Sequence, residues 1–237
     1  MKDFLVLNDF LLAEDENARK TSRQFKKDLK LYKQSFNLLI ETTYFLYDKT
    51  ADSAFSSPRT SVLLIMPRII QSMQSVRTLG LKGYYYDKAI LERSLIESMG
   101  LCAYLASNEE EAKRWLSGKD IKSPKIKLFD HLRNIVSPES SSGISTYGRL
   151  SKYVHTGFKG IVTLIADMLP PKQAVMQFGP SFDKQKFEGI SPYPVVMLMF
   201  LGITFKDYLT KRKLKKISDM VERFALHDRE EHSSNTV

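Results

Sequence analysis

The segment from Arg149 to His155 carries the side chains best suited to chemistry. Apolar residues recur around it at spacings of three and four, which predicts a helix. Ser151 and His155 are four residues apart, so they share one flank of the apolar face of that helix. A histidine in this position can exchange protons near neutral pH or donate to a developing anion. It can equally be a structural residue at the edge of the core that donates to a backbone carbonyl.

Arg149 and His155 point in different directions if their helix is straight. Six residues along an α-helix amount to about 600°, so the two side chains lie roughly 120° apart. A site that uses both therefore requires a distortion near Gly157 or a second subunit that completes the site. Otherwise Arg149 belongs to no site.

A second group of polar residues interrupts an apolar helix predicted from about Tyr85 to Ala106. Arg93 and Glu97 are four residues apart and begin a polar stripe along one face. This stripe either lines a cleft, where Arg93 and Glu97 are candidate catalytic residues together with His155 and Ser151, or forms an ion pair that fixes the register of two helices. Glu92 lies among apolar residues on the helical wheel, and we expect it to be buried and partnered.

The chain has a surplus of positive charge, and one dense cluster of cations lies near its C-terminus. Lys and Arg number 36 against 27 Asp and Glu, a formal charge of +9. This surplus favours anionic partners, with nucleic acid first and acidic protein or membrane surfaces second. Five cations within six residues on a predicted helix can follow a phosphate backbone. They can also form a solvated face that pairs with Asp219 and Glu222 on the same helix. The five are Lys211, Arg212, Lys213, Lys215 and Lys216.

Hydrophobic periodicity predicts an all-α protein, a multi-helix bundle with a long N-terminal helix and at most one short β-hairpin. We expect one helical domain over residues 1–227, followed by a disordered tail at 228–237. The sequence Ser107-Asn-Glu-Glu110 predicts a capping box, and Gly118 predicts the end of the helix that it starts. The main predicted helices cover about 13–47, 60–79, 85–106 and 194–226, and the hairpin falls within 174–194.

Several classes of protein can be set aside. The single cysteine, Cys102, lies among apolar residues, where burial as a small hydrophobic group is expected. The longest apolar run, Val195 to Phe205, is about half of what a membrane helix needs, and the N-terminus lacks a secretory signal. Four scattered histidines make no metal motif, and we expect His227 and His232 to be solvated. The sequence therefore predicts a cytoplasmic protein without a metal site or cofactor.

Two resemblances involve these residues. Over roughly 60–187 the chain resembles an uncharacterised bacterial family of helical proteins, which carry an Arg-Ser-x-x-Glu helix and a later Leu-Ser-x-x-x-His. Arg93 to Glu97 and Leu150 to His155 match these two patterns. The chain also resembles the HEPN superfamily, whose signature is an arginine followed by four to six residues and a histidine. Arg149 and His155, with five residues between them, satisfy that signature.

The HEPN resemblance implies a helical, often dimeric, metal-independent ribonuclease of a toxin or phage-defence system. It implies that His155 handles the proton of the 2′-hydroxyl or leaving group, and that Arg149 holds the scissile phosphate. RNA, a second copy of the chain and a partner protein of the same system are then the expected partners. The alternative hypothesis is a non-catalytic helical adaptor that binds a partner protein or nucleic acid. A weaker third hypothesis is a small-molecule sensor that uses the polar stripe as its pocket.

Overall fold

The computed structural model describes residues 7–52, 54–121, 187 and 192–234. This part of the chain is all-α, as predicted, and contains seven helices and no strand. Most of the segment 174–194 predicted to contain a hairpin, and the helix predicted around Arg149 to His155, lie outside the described residues, while residues 192–194 begin a helix. The helices are α1 (Leu7–Gln24), α2 (Lys26–Asp52), α3 (Ser57–Lys82), α4 (Tyr85–Ser107), α5 (Glu109–Leu116), α6 (Pro192–Thr204) and α7 (Lys211–Ser234).

The described helices fall into two compact units. One unit contains α1, the end of α3 from Ser72 and the start of α4 up to Ile96. The other contains α2 from Lys27, the start of α3 up to Gln71, α4 from Glu97, and then α5, α6 and α7. The single domain expected from the sequence stays a prediction.

The N-terminal region forms two helices where the sequence predicted one from about residue 13 to 47. α1 ends at Gln24 and α2 begins at Lys26. No proline or glycine marks this break, which is why periodicity missed it. The residue at the break, Phe25, is 8% exposed, and its ring centre lies 4.6 Å from that of Phe187 in the same unit. The break between α1 and α2 thus coincides with a tertiary contact of the Phe25 ring, and the local sequence does not signal it.

The helix predicted over 194–226 is also two helices, α6 and α7, joined by residues 205–210. Thr210 starts the second one as its N-cap. Its side-chain oxygen accepts the N–H of Lys213 at 3.3 Å, and its carbonyl accepts that of Leu214 at 3.0 Å. α7 continues to Ser234, into the segment predicted to be a disordered tail. The two helices pack closely, because a Cβ atom at Gly202 would lie 3.6 Å from Cγ2 of Ile217.

A tyrosine supports the helix that contains Pro67. α3 continues through this proline, although a proline removes the hydrogen bond to the carbonyl four residues earlier. That carbonyl belongs to Leu63, and the hydroxyl of Tyr47 donates to it. Tyr47 therefore satisfies the acceptor that the proline leaves open and joins α2 to α3.

The connection from α4 to α5 corrects one local prediction. The N-cap of α5 is Asn108 and not Ser107, and Asn108 makes no side-chain capping hydrogen bond. The hydroxyl of Ser107 instead donates to the carbonyl of Ala103 at 3.1 Å, so no capping box forms. The predicted stop is confirmed, since Gly118 follows α5 with a left-handed φ of 78°.

Two predictions about α4 are confirmed. Cys102 is fully buried, and its thiol lies 3.9 Å from the carbonyl oxygen of Val62. Glu92 is also buried, and its carboxylate lies 3.5 Å from the ammonium group of Lys88, which is buried as well. Such a pair is costly to separate, because either charge alone would remain desolvated.

Candidate nucleic-acid interface

The candidate interface is the surface formed by α2 and α7, which run antiparallel. Near the start of α7, Nζ of Lys213 lies 4.7 Å from the ring centre of Phe45. Fourteen residues later, Nε2 of His227 lies 2.5 Å from Oδ1 of Asp28. Residues further along α7 therefore contact residues nearer the N-terminus of α2, as expected for antiparallel helices. The prediction that His227 is solvated was wrong, because its side chain is 18% exposed and bound to Asp28.

An aromatic and cationic cluster fixes the link that leads into α7. Nε of Arg59 donates to the carbonyl of Thr204, the last residue of α6, at 3.2 Å. The guanidinium of Arg59 also lies 4.8 Å from the ring centre of Tyr208. The ring of Phe55 meets the rings of Tyr208 and Phe205 edge-on, at 4.6 and 5.7 Å. These contacts tie both halves of the link to the start of α3 and so determine where α7 begins.

The five predicted cations lie on one helix but divide into two groups. Lys213 is half-buried over Phe45, and Lys216 lies 3.9 Å from a carboxylate oxygen of Glu41. These two side chains face α2. The remaining three are exposed and make no ion pair within the described part of the chain. They are Lys211, Arg212 and Lys215, and we call them the outer cations.

The first turn of α7 has an unusual charge for a helix start. It contains no acidic residue, while Lys211, Arg212 and Lys213 lie at the positive end of the helix dipole. A cation there typically destabilises a helix by about 0.3–1 kcal/mol. A bound polyanion would offset both the side-chain charge and the dipole. The arrangement is thus unfavourable for the isolated helix and favourable for binding phosphate groups.

The other predicted site residues stand as follows. Arg93 and Glu97 are one turn apart on α4, and both are half-buried. The boundary between the two compact units falls between Ile96 and Glu97, so the two residues belong to different units. Arg149, Ser151 and His155 lie outside the described residues. Their role as a catalytic group is therefore still a prediction.

Sequence reasoning missed several residues that build the interface. Thr210 had a detectable signal, since a threonine immediately before a new helical run is a preferred N-cap. Phe45 and Asp28 had none, because their partners lie 168 and 199 positions further along the chain. Contacts over such separations depend on the packing of α2 and α7.

The described residues contain neither a metal-binding cluster nor a membrane-spanning helix. No group of three or more His, Cys, Asp or Glu side chains in the described ranges is arranged to hold a metal ion. None of the seven helices combines the length and apolar character needed to cross a membrane.

Part of the chain matches a known protein family. Residues 60–145 match a family model described as "Family of unknown function (DUF5677)". The match includes α3 from Thr60, all of α4 and α5, and ends before α6 and α7. No curated protein and no solved structure matches the chain.

Proposed function

We propose that this protein binds RNA on the α2–α7 surface and cleaves it without a metal ion, as a HEPN-like endoribonuclease of a toxin or phage-defence system. The observation that supports RNA binding is the group of outer cations, Lys211, Arg212 and Lys215, at the capped start of α7. Two of them, Lys211 and Arg212, lie in the first turn, where a positive charge opposes the helix dipole. A bound polyanion such as RNA would offset this unfavourable positive charge.

Cleavage is proposed from the sequence. His155 would take the proton from a ribose 2′-hydroxyl or give one to the leaving oxygen, and Arg149 would hold the phosphate between them. Ser151, four residues before His155, would lie on the same side of a helix and orient the imidazole. Because Arg149 and His155 diverge on a straight helix, we propose that a homodimer completes the site.

The experiment is incubation of the purified protein with total RNA, in the presence and absence of EDTA. We expect cleavage under both conditions, and its loss in the His155→Ala variant with an unchanged thermal unfolding curve. His232→Ala is the matched control and should cleave normally. Cleavage by His155→Ala at the wild-type rate would overturn the catalytic assignment, and cleavage that stops in EDTA would overturn the metal-independent mechanism.

A non-catalytic adaptor that binds nucleic acid is the second candidate. The observation that favours it is that the contacts between α2 and α7 described above are made by residues of these two helices. An adaptor would bind RNA on the same surface and leave it intact. Substituting His155 would then change only the stability of the protein, so binding without cleavage in the same assay decides for the adaptor.

A further inference from the structure

Tyr44 is an exposed aromatic residue of α2 whose near neighbours Phe45 and Glu41 contact two cations of α7. Its side chain is 66% exposed, and it is the only aromatic one among the large exposed apolar residues of the described chain. The others are aliphatic and occur singly or as the pair Leu11 and Leu12, which is ordinary for a protein surface. Tyr44 differs from them because its neighbours on α2 contact basic residues of α7.

The contacts between α2 and α7 place Tyr44 beside the line where the two helices meet. Phe45, the next residue, lies under Lys213, and Glu41, three residues earlier, lies near Lys216. At 100° per residue, Tyr44 points about 60° from Glu41 and about 100° from Phe45, on the solvent side of both. The ring therefore borders the surface that carries the α7 cations.

The acidic residues near Tyr44 limit where a phosphate can lie. Glu41 is 3.9 Å from Lys216, and Asp48 is exposed one turn beyond Tyr44 on α2. Both carboxylates repel phosphate from α2, whereas α7 attracts it through its outer cations. A nucleic acid that follows this surface thus has its backbone on α7 and its bases towards α2.

We infer that Tyr44 stacks on an unpaired base of a single-stranded RNA whose phosphates lie on the outer cations of α7. This inference rests on the proposed RNA binding and specifies its substrate class. An exposed ring next to a cationic surface is the usual combination for binding single strands, because every base offers a face for stacking. A duplex hides its base faces and leaves Tyr44 no partner.

The test compares the affinity for an unstructured oligouridylate with that for an RNA duplex of equal length. We expect tighter binding of the single strand, and a loss of about tenfold in Tyr44→Ala, within the range measured for removal of one base-stacking aromatic. Tyr44→Phe should keep the wild-type affinity, and duplex binding should change little in either variant. Leu64→Ala, which truncates another exposed apolar side chain, is the control for a nonspecific effect.

The possible failures are distinguishable. If the protein binds neither RNA, the proposed function and the stacking role both fail. If it binds single strand and duplex equally and Tyr44→Ala has no effect, RNA binding stands and the stacking role is overturned.

Discussion

Nζ of Lys213 lies 4.7 Å from the ring centre of Phe45, so a cation of the α7 first turn rests on an aromatic side chain of α2. Nζ of Lys49 approaches the same ring at 5.9 Å from within α2. One ring thus attracts cations from both helices. The contact gives the basic segment of α7 a fixed position on α2.

Removing the Phe45 ring should weaken the contact between the basic segment of α7 and α2. We expect Phe45→Leu to lower the free energy of unfolding by about 1 kcal/mol, because it keeps apolar volume but loses the attraction of the ring for cations. Urea denaturation measures the effect, and Phe45→Tyr, which retains a ring, should stay close to wild type. Equal losses in both variants would show that shape, and not the ring, accounts for the contact.

Tyr47 and Pro67 should be energetically coupled. Tyr47→Phe leaves the carbonyl of Leu63 without its donor, and we expect a loss of roughly 1–3 kcal/mol. In a Pro67→Ala background the helix regains the N–H for that carbonyl, so the same substitution should cost much less. A double-mutant cycle by urea denaturation measures the coupling. Additive effects would contradict this account of how α3 accommodates its proline.

The contact of α1 with the end of α3 should depend on pH. Glu14 accepts hydrogen bonds from Nζ of Lys82 at 2.5 Å and from the hydroxyl of Tyr84 at 2.6 Å. The bond from Lys82, followed by that from Tyr84, lowers the pKa of Glu14 below its ordinary 4.5. The bond to Glu14 raises the pKa of Tyr84 from 10.0 to about 12.

Both pKa shifts stabilise the folded protein at pH values between the lowered pKa of Glu14 and the raised pKa of Tyr84. The Glu14 contribution is complete above pH 4.5 and is lost as pH falls through its lowered pKa. The Tyr84 contribution is complete below pH 10 and is lost as pH rises towards 12. We expect Glu14→Gln to lower stability near neutrality and to flatten both limbs of a stability–pH curve. Glu16→Gln is the control, because Glu16 pairs with Lys20 on the exposed surface of α1; a similar flattening there would contradict the assignment.

Cys102 should be chemically inert in the folded protein. It is fully buried, and burial raises the pKa of its thiol, so the reactive thiolate is scarce at neutral pH. We expect a thiol reagent to label it at the rate of unfolding in buffer and at once in concentrated urea. Rapid labelling without denaturant would show that the packing around α4 opens readily.

The sequence predicted those parts of the fold that local signals determine. α3 and α4 were placed within three residues of their observed ends, since glycine marks the turn between them and polar residues mark their far ends. Gly83 adopts a left-handed φ of 90° in that turn, a conformation that favours glycine. The burial of Cys102 and Glu92 followed from their apolar neighbours.

The remaining features depend on distant partners. The breaks at Phe25 and at residues 205–210 form where side chains find partners elsewhere in the chain, namely Phe187 in one case and Phe55 and Arg59 in the other. His227 was expected in solvent because its partner, Asp28, is 199 positions away. The cationic character of the candidate interface was therefore predictable, whereas its aromatic and acidic members on α2 were not.

The most direct test of the central claim is the salt dependence of single-stranded RNA binding in two charge-matched variants. One reverses the outer cations (Lys211→Glu, Arg212→Glu, Lys215→Glu), and the other reverses three exposed lysines at the opposite end of the α2–α7 pair (Lys27→Glu, Lys30→Glu, Lys33→Glu). We expect the first to bind more than tenfold more weakly, to lose about 2 from the slope of log affinity against log salt, and to melt no lower than wild type. The second should bind markedly better than the first. Equal losses in both variants would contradict a defined RNA site at the start of α7.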